Sequence, residues 1–127
     1  MQDPQVNHPA HYTQHPSGVE SIEITALLPG AMANVAKYVM RYPYKGESMR
    51  DLRKAEFYAS YEVAKSMRAL RRFWDTEDGA QVWEKLEHVY NATTCPHERL
   101  VYRGLLEVHQ PGIVEGIRRL LLLQGRN

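Results

Sequence analysis

A chain of 127 residues, 43% of them hydrophobic, has room for one domain built on a single core. A formal net charge of +1 argues against a generic nucleic-acid or membrane binder driven by bulk charge. The single cysteine, Cys95, excludes an internal disulfide and fits a reducing compartment. No apolar run approaches the roughly 18 residues of a membrane span, and the first residues lack the basic and apolar regions of a signal peptide. The expectation is a cytoplasmic protein.

Residues 1–16 carry Pro4, Pro9 and Pro16 and hold no sustained period, which predicts an extended arm. His8, His11 and His15 in that arm have spacing compatible with a metal, but no helix pre-organises them and no cysteine or carboxylate completes a pattern. Contact with a ligand, or hydrogen bonds that pin the arm, suits them better. Ser17-Gly18-Val19-Glu20 matches a capping box and predicts a helix from there to about Leu28, stopped by Pro29-Gly30. Glu20 and Glu23 lie three apart, so their carboxylates share a side. Glu20 has an ordinary use as a cap; the pair also has the chemistry to hold Mg²⁺ or accept a proton.

The next stretch, running to Tyr42, splits on a helical wheel. Met32, Val35, Ala36, Val39 and Met40 follow the spacing of a buried stripe. Asn34, Lys37, Tyr38 and Arg41 follow it on the opposite side, with Tyr42 and Lys45 just beyond. Two cations, an amide and a ring aimed one way suit a phosphorylated, ring-bearing ligand, although a solvated face with a snorkelling tyrosine has the same pattern. Pro43 ends this helix, and 43–48 read as a loop.

A long helix is predicted from about Met49 to Trp74. Leu52, Ala55, Ala59, Val63, Met67, Leu70 and Trp74 form its apolar stripe, and Asp51, Lys54, Tyr58, Tyr61, Lys65, Arg68 and Arg72 the opposite one. Alternating Tyr and Lys/Arg suit phosphate and base contacts, a subunit interface, or a solvated basic face. Asp75 to Gly79 reads as a break, followed by a helix from about Ala80 to Asn91. Pro96 fits the first position of the next helix, capped by Cys95 or Thr94 and running to about Val108. Pro111 opens a last helix that is apolar nearly all round, as expected inside a bundle or a subunit interface. Strand signals are scarce. The architecture predicted is all-α: one domain over 1–127, a compact bundle of about six helices preceded by the extended arm.

No P-loop, dinucleotide fingerprint, zincin motif, Cys pair or nucleophile elbow occurs. Cys95 with His97 is a poor nucleophile–base pair, since neighbours two apart seldom face each other. Bound phosphates would have to be held by side chains, for which Lys37, Arg41, Lys45 and Lys54 are candidates. Glu20, Glu23 and Asp51 are the carboxylates within reach of that framework.

The order His11-Tyr12, Gly18-Val19-Glu20-Ser21-Ile22-Glu23, Asn34 to Tyr42, Lys45, and Asp51-Leu52-Arg53-Lys54-Ala55-Glu56-Phe57-Tyr58 resembles a small phage family, long catalogued as a domain of unknown function and called SaV-like. The family pattern reads H-Y, G-I-E-x-I-E/D, G-N-x-x-K-Y-x-x-R-Y/A, K, then D-L-x-K-A-x-x-Y. Its relatives include the phage T7 nucleotide kinase, which phosphorylates deoxynucleoside monophosphates without a P-loop. The resemblance covers about residues 7–62. Ala33 replaces the family's Gly, Pro43-Tyr44 replaces its short turn, and 76–127 has no counterpart in it.

The resemblance implies a deoxynucleoside monophosphate kinase using ATP or another nucleoside triphosphate and Mg²⁺ in the host cytoplasm. Arg41, Lys37 and Asp51 would be catalytic. His11, Tyr12, Asn34, Lys37, Tyr38, Arg41, Lys45, Lys54 and Tyr58 would bind substrate, and Glu20 and Glu23 the metal. Residues 17–75 would form the nucleotide-site half, and 76–127 would serve packing or homo-oligomerisation. The alternatives are a nucleotide binder without turnover and an inhibitor of a host enzyme, neither with specific nucleic-acid binding.

Overall fold

The computed structural model describes residues 15–125. Among them are seven α-helices and no strand: α1 (Ser21–Thr25), α2 (Gly30–Arg41), α3 (Ser48–Ala59), α4 (Val63–Trp74), α5 (Glu77–Ala92), α6 (Pro96–Glu107) and α7 (Gln110–Gly125). The all-α bundle expected from the sequence is what forms; most of the expected arm lies outside the described residues. Among the described residues, no helix is long and apolar enough to cross a membrane.

Helix α2 is the central element and packs on α1, α3, α4 and α6. Its predicted stripe is the buried one: Met32, Val35, Ala36 and Val39 are fully buried and Met40 nearly so. Burying a large apolar side chain contributes roughly 1.5–3 kcal/mol, so this stripe fixes which way the helix faces. Pro29 caps its start, and it stops at Arg41, two residues before Pro43.

Three predicted boundaries are corrected. The first helix starts at Ser21, not Ser17, and its capping box is Glu20 with Glu23. The Ser17 hydroxyl is instead taken by His15 Nδ1 at 2.8 Å and by the Val19 N–H at 3.1 Å. The long helix is two helices, α3 and α4, interrupted at 60–62, where Glu62 takes a left-handed conformation at φ 43°. Gln110 Nε2 donates to the freed Ala59 carbonyl at 3.2 Å, and the Ser66 hydroxyl to that of Tyr61 at 3.2 Å. The next helix begins at Glu77, within the predicted break. Thr76 caps it by accepting the Gly79 N–H at 2.9 Å. Gly79 sits inside the helix because the Phe73 carbonyl comes so close that a Cβ would stand 1.7 Å from it.

Of the two predicted cap residues, Cys95 takes the N-cap position of α6 without a side-chain cap hydrogen bond, and Pro96 stands in the first turn as predicted. Trp74 Nε1 donates to the Leu105 carbonyl at 3.1 Å and Trp83 Nε1 to that of Leu106 at 3.4 Å, meeting acceptors in the last turn of α6. The last helix buries Ile113, Val114, Ile117 and Leu120 and leaves Leu122 and Leu123 exposed. Helices α6 and α7 meet closely. A Cβ at Gly104 would stand 2.6 Å from Ile113 Cγ1, and one at Gly116 2.7 Å from the His97 carbonyl oxygen.

In an open helix, Gly→Ala stabilises by about 1 kcal/mol. Here Gly116→Ala is expected to destabilise instead, by about 1–3 kcal/mol through overpacking. Urea unfolding of the two proteins checks the sign, and a gain in stability would contradict the close approach.

Candidate functional site

Helix α2 carries Lys37 and Arg41 one turn apart, and the loop after it carries Tyr44 and Lys45. With Ser21, Ile22 and Thr25 of α1 and with His15, these line a cleft of about 310 Å³ floored by Met40. Three cations reach this cleft, and no carboxylate is among its lining residues. Among the described residues, Lys37 and Lys45 have no ion-pair partner. Ser21 and Thr25 stand one turn apart on α1 and offer hydroxyls on the facing wall. Concentrated positive charge with hydroxyls opposite is the chemistry of an anion site, and phosphate is the anion it suits best.

The third cation is held from beneath. Arg41 Nε lies 3.5 Å from Asp51 Oδ2, with 34% of the arginine side chain exposed and 2% of the aspartate. Neither atom has a hydrogen-bond partner among the described residues. The pair is therefore a charge contact whose hydrogen bonding is unmet, on a guanidinium with further N–H donors. Its spacing puts Asp51 on the polar stripe, but it is buried at the α2–α3 contact, because α3 turns its first-turn carboxylate under Arg41.

His15 anchors the edge of the cleft. Its Nδ1 accepts the Ser17 N–H at 3.1 Å, and its Nε2 lies 3.1 Å from Thr93 Oγ1. Thr93 in turn donates to the Val89 carbonyl at 2.6 Å. This network assigns the neutral tautomer with hydrogen on Nε2. Burial lowers the His15 pKa below 6.5. Behind the loop, the Tyr42 hydroxyl donates to Glu98 Oε2 at 2.6 Å. Tyr42 is buried and points away from the cleft, contrary to its expected place just beyond the ligand face. Burial, then the Glu98 charge, raise the Tyr44 phenol, which keeps it a hydroxyl donor.

The remaining predicted ligand residues gather elsewhere. Tyr38, Lys54 and Tyr58 line a second, shallower hollow with Arg50, Arg53 and Phe57. Lys37 stands between the two, its Nζ 5.4 Å from the Tyr38 ring centroid. Asn34 lines neither. His11 and Tyr12 lie outside the described residues.

Glu20 and Glu23 do not line the cleft. Glu23 Oε2 accepts the Glu20 N–H at 2.7 Å, and its Oε1 lies 3.4 Å from Lys85 Nζ. This carboxylate is committed to the helix cap and to α5, so it does not fit a resident Mg²⁺ site. Among the described residues, no three His, Cys, Asp or Glu side chains come together as metal ligands.

Ser21, Thr25 and Tyr44 were not singled out from the sequence. The Ser21/Thr25 spacing on a short helix was a readable signal, whereas His15 and Thr93 lie 78 residues apart and leave none.

The fold and cleft define an all-helical protein with a cationic cleft between its first two helices. Residues 6–60 match the model of a family described as a protein of unknown function (DUF3310). The match takes in α1, α2 and α3 and ends at the break before α4, so it spans every residue that lines the cleft. No curated protein and no solved structure matches the chain.

The lowered His15 pKa makes a pH prediction. The folded state binds fewer protons at His15 than the unfolded chain, so its contribution is present above about pH 6.5 and is lost as pH falls toward the folded value. Unfolding midpoints measured between about pH 7.5 and 5 should fall on acidification, and less steeply in His15→Gln. Equal slopes in the two proteins would remove His15 from the account.

Proposed function

We propose that the protein is a nucleotide kinase that phosphorylates a deoxynucleoside monophosphate, its phosphate held in the cleft by Lys37, Arg41 and Lys45. The observation that carries this reading is the convergence of three cations on a cleft with no lining carboxylate, one of them oriented by a buried aspartate. The sequence resemblance to the SaV-like phage family supplies the reaction class, and the residues it shares include those same cations.

In this reading the acceptor phosphate oxygen attacks the γ-phosphorus of a nucleoside triphosphate, which enters with its own Mg²⁺. The bond to the β,γ-bridging oxygen breaks, and nucleoside diphosphates leave on both sides. Phosphoryl transfer needs positioning and charge stabilisation more than covalent help from the protein. The three cations offset the charge on the acceptor and transferring groups, and Arg41 offers a planar fork for two oxygens. Asp51 acts as a positioning residue beneath Arg41. The Ser21 and Thr25 hydroxyls and the protonated Tyr44 phenol are placed to donate to phosphate oxygens.

A second reading, a nucleotide binder without turnover, has its own support. Asp51 is buried and Glu23 is tied to the cap, so neither carboxylate is presented to the cleft.

Incubation with MgATP and each deoxynucleoside monophosphate, with chromatography of all nucleotides, separates the two. The kinase reading expects a new diphosphate with ADP in step. It also expects Lys37→Ala, an exposed position, to lower turnover on the order of 10²-fold at unchanged unfolding midpoint. Binding that Lys37→Ala weakens, without conversion, would leave the binder. Failure of every nucleotide to bind would overturn both.

A further inference from the structure

The cleft leaves a neighbouring surface unexplained. On α3, Phe57 is 60% exposed, and Tyr61, just past its end, is 49% exposed. They belong to one aromatic group with rings in defined arrangement. Phe57 meets Tyr58 edge-on at 5.2 Å and stacks with Tyr61 at 5.7 Å, while Tyr58 lies within 7° of parallel to Tyr38 at 6.2 Å. Their hollow, about 630 Å³, is larger and more open than the cleft.

The same hollow is lined by Arg50, Arg53 and Lys54 and by no carboxylate. Lys54 Nζ sits 5.3 Å from the Tyr38 ring centroid. Arg53 has no ion-pair partner among the described residues, and Arg50 has only the loose Glu47 contact at 3.9 Å. Arg103 and Arg119, by contrast, are paired along their helices with Glu107 and Glu115. Cations alone would suit any anion, and aromatic rings alone would suit an apolar partner. Interleaved on one open face, they match a ligand that joins a flat π-system to a phosphate.

We infer that the α2–α3 face formed by Tyr38, Arg53, Lys54, Phe57 and Tyr58 is a second, base-stacking site for nucleoside phosphates, separate from the cleft. The base lies on the exposed aromatic group and the phosphate meets Arg53 and Lys54. The site does not rest on the kinase reading, because a stacking site needs no turnover and its cations are not those of the cleft. Nucleoside phosphates reach it from two sources: as free nucleotides, or as consecutive units of a single strand, for which the open face leaves room.

The test measures binding of ATP and thymidine monophosphate by calorimetry, and of labelled oligothymidylates of increasing length by anisotropy. Phe57→Ala, Phe57→Trp, Arg53→Ala and the cleft variant Lys45→Ala are compared, with circular dichroism to confirm folding. Loss of one stacked base is worth about fivefold or more in affinity. Phe57→Ala should therefore weaken the second binding event at least about fivefold, with Phe57→Trp restoring it. Arg53→Ala should weaken it and make its salt dependence shallower, whereas Lys45→Ala should leave it unchanged. Affinity that rises with oligonucleotide length identifies a strand; affinity for ATP equal to that for the longest oligonucleotide identifies a free nucleotide. Binding indifferent to both Phe57→Ala and Arg53→Ala overturns the proposal, as does a Phe57→Ala protein whose only change is a smaller sedimenting mass. Loss of cleft binding in Lys45→Ala with this site intact is expected of two independent sites, so the two claims fail separately.

Discussion

The Arg41–Asp51 contact is the constraint on which the site depends. A buried carboxylate is expensive to desolvate, and a guanidinium whose Nε is buried beside it offsets that cost only while the two stay together. Separating them would cost about 3 kcal/mol, at the low end for buried pairs because a third of Arg41 is in solvent. The contact thus locks α3 to the end of α2 and sets the direction of the arginine. It engages the guanidinium through Nε alone, so the remaining N–H donors are left for an anion in the cleft.

The rest of the fold serves to hold that end of α2 still. The Met32–Met40 stripe is seated against four other helices, so the opposite face can carry Lys37 and Arg41 outward without loss of stability. His15 ties the chain before α1 to Thr93 at the end of α5, which sets one wall of the cleft. Tyr42 and Glu98 tie the loop after α2 to α6, which sets another. These are long-range hydrogen bonds made by side chains at helix ends. They fix the loops on either side of the cleft and leave its three cations free of any carboxylate in the lining.

The parts of this arrangement legible in the sequence were those with local period. The wheel of α2 separated its buried stripe from Lys37 and Arg41, and Pro96 marked the start of α6. The parts that were not legible are tertiary. The break after Ala59 has no glycine or proline, and it is stabilised by Gln110, a residue 51 positions away. Asp51 reads as a surface residue at its spacing, and only the approach of α2 buries it. Ser17 reads as a cap until His15 takes its hydroxyl. Six of the ligand residues expected to act together fall on two surfaces, Lys37, Arg41 and Lys45 on the cleft and Tyr38, Lys54 and Tyr58 on the hollow, because Lys37 and Tyr38, adjacent in sequence, point about 100° apart on the helix.

The most direct test of the account is a crystal structure with a deoxynucleoside monophosphate bound. The account predicts its phosphate within about 3 Å of the Arg41 guanidinium, between Lys37 and Lys45, with Asp51 still against Nε on the far side. A phosphate bound away from the cleft, or an Arg41 that has left Asp51 to reach it, would contradict the claim that this buried pair builds the site.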